Sequence, residues 1–153
     1  MTIYLGADHK GFALKEKIKQ MLLAEAYDVV DLGASTLMPD DDYPVYGKAV
    51  AEAVRKNPTV DRGILVCGSG FGMDIVADKI HGVRAALPMS PDHAYQARHD
   101  DDVNVLALGA DFIDEATAQK IVKTFISTPF AKEERYRRRE DEISKIEEST
   151  QPN

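Results

Sequence analysis

The 153-residue sequence has little cysteine and no excess of positive charge. Its one cysteine, Cys67, excludes an intramolecular disulfide, and we expect such a chain to work in a reducing, cytoplasmic compartment. Asp and Glu outnumber Lys and Arg by 26 to 19, which gives a net charge of -7. Nucleic acids and anionic membranes bind positive surfaces, so this balance argues against both as general partners.

Long hydrophobic runs are also missing from the sequence. No apolar run approaches the ~20 residues that a membrane-spanning helix requires. The first segment, MTIYLGADHKG, has no basic region followed by an apolar stretch, so we expect no secretory signal. The hydrophobic share of 44% and the chain length fit an ordinary core, and we predict a single domain over residues 1–153.

Short apolar runs alternate with helical patterns along the chain. Strands are predicted over residues 2–7, 28–32, 63–67, 83–87 and 103–108, and helices over residues 12–26, 46–55, 73–80, 91–98, 114–127 and 132–148. Nearly every strand is apolar on both faces, which predicts an α/β fold with a parallel sheet between two layers of helices. Such sheets bind ligands beyond the carboxyl ends of their strands, where the strand order reverses.

Asp8 and His9 directly follow the first predicted strand. At a ligand-binding edge, Asp8 could hold sugar hydroxyls and His9 could hydrogen-bond a ring oxygen or a phosphate. Alternatively, Asp8 caps the following helix and His9 is a solvated loop residue.

The third predicted strand ends in CGSGFG, which is Cys67 followed by a glycine-rich loop over residues 68–72. Glycines allow the backbone to approach a ligand closely, and N–H groups at the start of a helix favour negative charge. The loop could therefore hold a phosphate or the oxyanion of an enediolate. Cys67 as a thiolate could remove a proton next to a carbonyl, or it could be a buried structural cysteine.

The C-terminal predicted helix carries four arginines among many acidic residues. Arg135 and Arg139 lie four residues apart on one face and could grip one phosphate, although an ion-paired, solvated helix has the same pattern. His93 and His99, followed by three aspartates, do not have the ligand spacing of a zinc site, and we predict no metal.

Several segments together are similar to the type B ribose-5-phosphate isomerases, a family that also includes galactose-6-phosphate isomerases. They are LGADHKG, DDDYPVYG, ILVCGSGFGMDIVADK, GVRAAL and NVLALGA, in the family's order and spacing. The resemblance covers nearly the whole chain. It implies a three-layer α/β/α sandwich with five parallel strands, a homodimer that could pair further into a tetramer, and sites formed between subunits without a metal or organic cofactor.

The resemblance also implies a role for each matching residue. Cys67 would be the base that moves a proton between adjacent carbons of a small phosphorylated sugar. Ser69 would assist the main chain around Gly68, Gly70, Phe71 and Gly72 in holding the enediolate oxygen. Asp8 and His9 would position the sugar, Tyr43 would line the pocket, and Arg135 and Arg139 would bind the phosphate from the partner subunit.

The sequence departs from the family at two places. The family has His-Asn where Asp100 and Asp101 stand; the His opens the sugar ring and the Asn binds substrate. Three alternatives follow: Asp100 opens the ring, a local shift brings His99 into the site, or the substrate needs no ring opening, as a tetrose phosphate does not. Asp111 replaces an Arg that helps many members to bind phosphate, which favours an altered substrate.

The expected activity is aldose–ketose isomerisation, with ribose 5-phosphate as the default substrate. A tetrose phosphate, a hexose phosphate or a free sugar is the alternative, as is a non-catalytic homologue that only binds sugar phosphates. A flavodoxin-like nucleotide-binding module has the same kind of sheet, but no nucleotide fingerprint supports it.

Overall fold

The computed structural model describes residues 1–150, and within them the chain forms a five-stranded parallel sheet and six α-helices. The elements are β1 Thr2–Ala7, α1 Phe12–Ala24, β2 Asp28–Asp31, α2 Tyr43–Val54, β3 Arg62–Cys67, α3 Phe71–Ala77, β4 Ala85–Ala86, α4 Pro91–Asp101, β5 Val105–Gly109, α5 Glu115–Ser127 and α6 Glu134–Ser149. The strand order is β2-β1-β3-β5-β4. The last three residues of the predicted domain lie outside the described residues.

Two apolar cores, one on each face of the sheet, confirm the predicted three-layer fold. Ile64 and Val66 of β3 pack with side chains from α1, α4 and α5, whereas Leu65 and Cys67 pack with α2 and α3. Successive residues of a strand point to opposite faces, so an apolar strand serves both cores. β3 and β5 are buried along their whole length, which is typical of central strands in a parallel sheet.

The edge strands are shorter and more exposed than the sequence suggests. β4 contains only two residues instead of the five predicted, and β2 alternates between exposed and half-buried positions. An edge strand has one neighbour, so fewer backbone groups are paired and less apolar surface is required.

Several helix boundaries also differ from the predicted ones. α1 ends at Ala24 because Ala26 adopts a left-handed conformation, with φ of 61°. α2 begins three residues earlier than predicted, with Pro44 in its first turn, where the missing N–H of proline costs no hydrogen bond. α4 begins as predicted, with the Ser90 hydroxyl accepting a hydrogen bond from the His93 N–H, but continues to Asp101. No helix within residues 1–150 is long and apolar enough to cross a bilayer.

Candidate active site

The strand order reverses between β1 and β3, which lie side by side in the middle of the sheet. β1 leads to β2 on one side, whereas β3 and the later strands lie on the other. The carboxyl ends of β1 and β3 therefore meet at the switch point where open α/β sheets bind ligands. The structure places Asp8 and His9 after one of these strands and the glycine-rich loop after the other, so it brings these predicted residues together.

Cys67 is the last residue of β3, and its side chain faces α2 and α3. It is only 4% exposed, and the N–H of Gly70 donates a hydrogen bond to its Sγ over 3.1 Å. An N–H group directed at sulfur stabilises negative charge that develops there. The position suits a base at the mouth of the sheet, but its burial also suits a structural cysteine, so the geometry alone leaves both roles open.

The loop over residues 68–72 turns sharply because Gly70 adopts a left-handed conformation, with φ of 83°. Gly70 is buried, and a Cβ added there would lie 2.4 Å from the Leu87 side chain. Ser69 and Phe71 on either side are exposed, Phe71 by 63%. The loop therefore offers its Ser69 hydroxyl and its outer backbone to a ligand, while Gly70 anchors it against the protein.

Tyr43, the first residue of α2, packs on this loop. A Cβ at Gly72 would lie 2.6 Å from Cε2 of the Tyr43 ring, so only glycine permits the contact. The Tyr43 side chain remains 39% exposed. The prediction that Tyr43 lines the pocket is consistent with this placement beside the loop, although its role stays a prediction.

Asp8 is buried, and its Oδ1 accepts a hydrogen bond from the Gly11 N–H over 2.9 Å. It therefore closes the turn that leads into α1, but it does not cap the helix, whose first residue is preceded by Gly11 as the N-cap. Asp8 also lies near Tyr46 of α2. Burial first, and then the Asp41 and Asp8 carboxylates, raise the pKa of that tyrosine.

His9 is held by Asp41, a residue that the sequence alone did not single out. Both the backbone N–H and the ring Nδ1 of His9 contact Oδ1 of Asp41, at 2.9 and 2.8 Å. His9 is therefore not a freely solvated loop residue. The only sequence signal was the run of three aspartates just before Tyr43, which by itself is typical of a solvated loop.

The remaining predicted residues gather around the last turn of α4 and the first turns of α6. His99 Nδ1 lies 2.7 Å from Asp100 Oδ1, and its ring stacks on Tyr95 with 4.9 Å between centroids. Arg135 donates from Nη2 to the Tyr136 hydroxyl over 2.8 Å, and its guanidinium lies 4.5 Å from the centre of that ring.

Charges within this second group are arranged in pairs. The hydrogen bond from His99, aided by Tyr136 and Arg135, lowers the pKa of Asp100. Partial burial and the neighbouring Asp100 raise the pKa of Asp101, and the positive charge of Arg139 opposes that rise. The group therefore combines an ionised carboxylate, an imidazole and two exposed arginines.

The residues that follow β1 and β3 and the residues gathered around α4 and α6 lie at opposite ends of the strands. α4 ends where β5 begins, at the amino edge, whereas Cys67 pairs with Gly109 at the carboxyl edge. The five residues of β5 alone span about 16 Å at ~3.3 Å per residue. A cavity of about 680 Å³ between β4, α4 and α6 is lined by Asp100 and Asp101 and does not include Cys67. One chain therefore does not bring together the two halves of the predicted site.

Comparison with known proteins assigns the chain to a family. The family model described as Ribose/Galactose Isomerase matches residues 3–143. The chain belongs to this family. A probable ribose-5-phosphate isomerase B from Mycoplasma genitalium is 40% identical over 150 residues, which cover 98% of each chain. Ribose-5-phosphate isomerase B from Mycobacterium tuberculosis is 37% identical over 147 residues, covering 96% of this chain and 90% of the relative.

A solved structure within the ribose/galactose isomerase family has the same fold. The crystal structure of the Mycoplasma genitalium ribose-5-phosphate isomerase B with bound ribulose-5-phosphate superposes with a TM-score of 0.94. It is 40% identical and covers 97% of both chains. The recognition of the family from its motifs is thereby confirmed, and so is the predicted fold.

Asp111, one of the departures from the family pattern, has a cation beside it. Its N–H donates to the Gly68 carbonyl over 3.0 Å, so it borders the glycine-rich loop. The Asp111 carboxylate lies 4.0 Å from Lys10 Nζ, and both side chains are more than half exposed. Lys10, which the sequence did not single out, therefore offsets part of the negative charge near the loop. No group of three or more His, Cys, Asp or Glu side chains with metal-site geometry occurs within residues 1–150.

Proposed function

We propose that this protein is an aldose–ketose isomerase that interconverts ribose 5-phosphate and ribulose 5-phosphate. The observation that carries the proposal is the position of Cys67 and its glycine-rich loop beside Asp8 and His9, at the switch point of the sheet. The similarity to a ribose-5-phosphate isomerase B with bound ribulose-5-phosphate supports the substrate.

In the proposed mechanism, Cys67 removes the proton from C2 of the open-chain aldose. Negative charge then develops on O1, and main-chain N–H groups of the glycine-rich loop, with the Ser69 hydroxyl, stabilise this enediolate. The O2 hydroxyl proton then moves to O1, and Cys67 returns the carbon-bound proton to C1 as the C2 carbonyl forms, which gives the ketose. A general base contributes about 10²–10⁴-fold to the rate, and one oxyanion contact contributes about 3 kcal/mol. No cofactor is required in this scheme.

The proposed active form is a homodimer with two sites, each built from both subunits. Cys67 and His9 lie at one sheet edge, whereas Arg135 and Arg139 lie with Asp100 at the other, so a second copy must supply the phosphate-binding arginines. A two-fold symmetric pair places each group of one subunit against the complementary group of its partner. The exposed side chains of Phe71 and Phe112 at the carboxyl edge are apolar surface that a partner subunit can cover.

In this arrangement α6 reaches the partner, and its two arginines grip the phosphate of the sugar. Asp100 and His99 then approach the sugar from the same subunit as those arginines. Their hydrogen-bonded pair can exchange a proton with the ring oxygen, which would replace the single histidine of the family pattern. We place the enzyme in the cytoplasm, as a single-domain protein of pentose phosphate metabolism.

The test is an assay with a panel of phosphorylated sugars. Ribose 5-phosphate, a tetrose phosphate, two hexose 6-phosphates and free ribose are each incubated with the protein in heavy water, and NMR follows exchange of the C1 and C2 protons. The proposal expects exchange and ketose formation with ribose 5-phosphate above all. Preference for a tetrose phosphate would favour an altered substrate, with Asp100 no longer opening a ring. Ligand-dependent thermal stabilisation without any exchange would indicate a sugar-phosphate-binding protein instead.

A further inference from the structure

The imidazole of His9 has one occupied nitrogen and one free nitrogen. Nδ1 lies 2.8 Å from the Asp41 carboxylate, and Nε2 has no hydrogen-bond partner within residues 1–150. We propose that Asp41 is a positioning residue that keeps the ring proton of His9 on Nδ1, so that Nε2 presents a lone pair to a hydroxyl group of the sugar. This inference rests on the proposed function, because it assumes that a sugar phosphate binds beside the β1–α1 loop.

Asp41 is suited to fixing a tautomer because it acts only as an acceptor. Its side chain is 8% exposed, and Oδ1 accepts from both the backbone N–H and the ring of His9. Burial opposes ionisation, but the two hydrogen bonds from His9, with a contribution from Tyr46, hold the pKa of Asp41 below its ordinary value. Asp41 is therefore a carboxylate at neutral pH, and Nδ1 of His9 must be the donor.

The Asp41 carboxylate is held by His9 at one oxygen, and it also lies near the Tyr46 hydroxyl. Oδ2 is buried and has no hydrogen-bond partner among the described side chains and backbone. A buried carboxylate oxygen without a donor is costly, so the two bonds to Oδ1 must offset the burial of the whole group.

The tautomer decides what His9 can recognise. Neutral imidazole with its proton on Nδ1 has only a lone pair at Nε2, and a lone pair accepts from a hydroxyl group. A ring oxygen and a phosphate oxygen are themselves acceptors, so neither can bind this nitrogen while the imidazole is neutral. The His9 side chain is 32% exposed at the switch point, so part of the ring is open to a ligand. The sequence left open whether His9 contacts a ring oxygen or a phosphate. The geometry favours a third role, the recognition of a hydroxyl group.

The tautomer can be observed directly, without turnover. The intact protein labelled with ¹⁵N-histidine is examined at pH 8.5 by two-bond ¹H–¹⁵N correlation, and the His9 signals are assigned by their loss in His9→Gln. We expect a protonated Nδ1 and an unprotonated Nε2 in the wild type. In Asp41→Ala we expect the proton on Nε2, the preference of free imidazole. A wild-type ring protonated on Nε2 would overturn the proposal.

Kinetics separate hydroxyl recognition from phosphate binding. Asp41→Ala and the isosteric Asp41→Asn are compared with Asp40→Ala, which removes a neighbouring exposed carboxylate. We expect kcat/KM for ribose 5-phosphate to fall at least tenfold in Asp41→Ala, less in Asp41→Asn, and not in Asp40→Ala. The inhibition constant of inorganic phosphate should stay within twofold in all three. An equal loss of sugar-phosphate turnover and phosphate inhibition would show that His9 binds phosphate and would refute the inference.

The two proposals fail in different ways. If no sugar phosphate is isomerised, the proposed function is wrong, but the tautomer experiment still reports on Asp41 and His9. If isomerisation occurs and the His9 proton resides on Nε2, the function stands and this inference is wrong. Circular dichroism and melting temperature show whether Asp41→Ala folds, and Asp41→Asn serves in its place if it does not.

Discussion

The backbone N–H of Gly70 points back at the sulfur of Cys67, three residues earlier, across 3.1 Å. The left-handed conformation of Gly70 turns the chain sharply enough to bring that N–H over the end of β3. The proposed base and the proposed oxyanion cradle are therefore one structural unit, in which the same short turn orients both. Changes to either residue should affect the chemistry more than the fold.

Replacement of the sulfur tests the assigned base. Cys67→Ala should lower kcat by about 10²–10⁴-fold, because a positioned general base contributes that much. Cys67→Ser should be nearly as slow, since a hydroxyl is a far weaker base than a thiolate. Both variants should keep the wild-type circular dichroism spectrum and a cooperative melting transition. Turnover within tenfold of the wild type in Cys67→Ala would mean that Cys67 is a structural cysteine.

The turn itself is tested by a pair of glycine substitutions. Gly70 and Gly82 share left-handed conformations, with φ of 83° and 80°, but only Gly70 is crowded. Each change to alanine should cost about 1–2 kcal/mol of stability from backbone strain. Gly70→Ala should also displace the loop, because the new Cβ meets Leu87, and kcat should fall at least a hundredfold. Gly82→Ala should keep the wild-type kcat. Equal kcat values in the two variants would show that the conformation of the glycine-rich loop does not contribute to catalysis.

The sequence predicted the centre of this fold better than its edges. β3 is apolar at nearly every position and is buried on both faces, so its pattern and its place agree. β4 is predicted from Val83 to Leu87, yet only Ala85 and Ala86 pair, because hydrogen bonding to a single neighbour depends on tertiary contacts. Local patterns specify burial, whereas the ends of edge strands depend on what lies beside them.

The candidate site was predictable where function depends on backbone shape and unpredictable where it depends on distant pairs. The glycine-rich loop and the Asp-His after β1 are visible as short motifs. The contact between His9 and Asp41 joins residues 32 positions apart, and no local pattern reports it. The division of the site between two sheet edges likewise follows from topology, because α4 must return the chain to the start of β5.

Mixing two inactive variants tests whether the site is shared between subunits. Cys67→Ala and Arg135→Ala should each be inactive, because every site in either homodimer lacks one group. After subunit exchange, half of the dimers are mixed and each carries one intact site, so activity should recover to about a quarter of the wild type. Mixing Cys67→Ala with Gly70→Ala should restore no activity, since Cys67 and Gly70 belong to the part of each site that comes from the same subunit. Recovery must depend on exchange, which native mass spectrometry can follow with an isotopically labelled subunit.

Asp74 predicts a pH-dependent stability. Burial, and then the neighbouring Asp78, raise the pKa of this α3 carboxyl to about 6, and its Oδ1 has no partner within residues 1–150. A raised pKa means that the folded state holds the proton more tightly than the unfolded state, so stability falls as pH rises from 3.8 to about 6.

Asp74→Asn should therefore stabilise the protein above pH 6 and lose this advantage at lower pH. Because the side chain is partly exposed, we expect a gain of about 1 kcal/mol at pH 7.5, well below the full value of the shift. Asp92→Asn, in the exposed first turn of α4, is the control and should give no gain. Urea unfolding at pH 7.5 and pH 5 measures both; an equal effect of Asp74→Asn at the two pH values would contradict the raised pKa.

Removal of the Lys15 charge should destabilise the fold. It is fully buried in α1, and its Nζ lies 2.7 Å from Asp31 at the end of β2 and 3.0 Å from Glu16. Lys19 remains 2.7 Å from Asp31, but the loss of the buried ammonium and its packed alkyl chain in Lys15→Ala should still cost about 2 kcal/mol at pH 7. Lys17→Ala, an exposed neighbour on the same helix, should lose less than about 0.5 kcal/mol.

The pH dependence of that loss identifies its cause. Burial opposes ionisation of Asp31, but hydrogen bonds from Lys15 and Lys19 lower its pKa below 3.8. The stabilisation from a lowered carboxyl pKa is present above the unfolded value and is lost as pH falls through the folded one. The stability difference between wild type and Lys15→Ala, measured by urea unfolding, should therefore hold from pH 7 to about pH 4 and narrow as the pH falls below 3.8. A constant difference would assign the loss to the buried alkyl chain of Lys15, which packs without regard to charge.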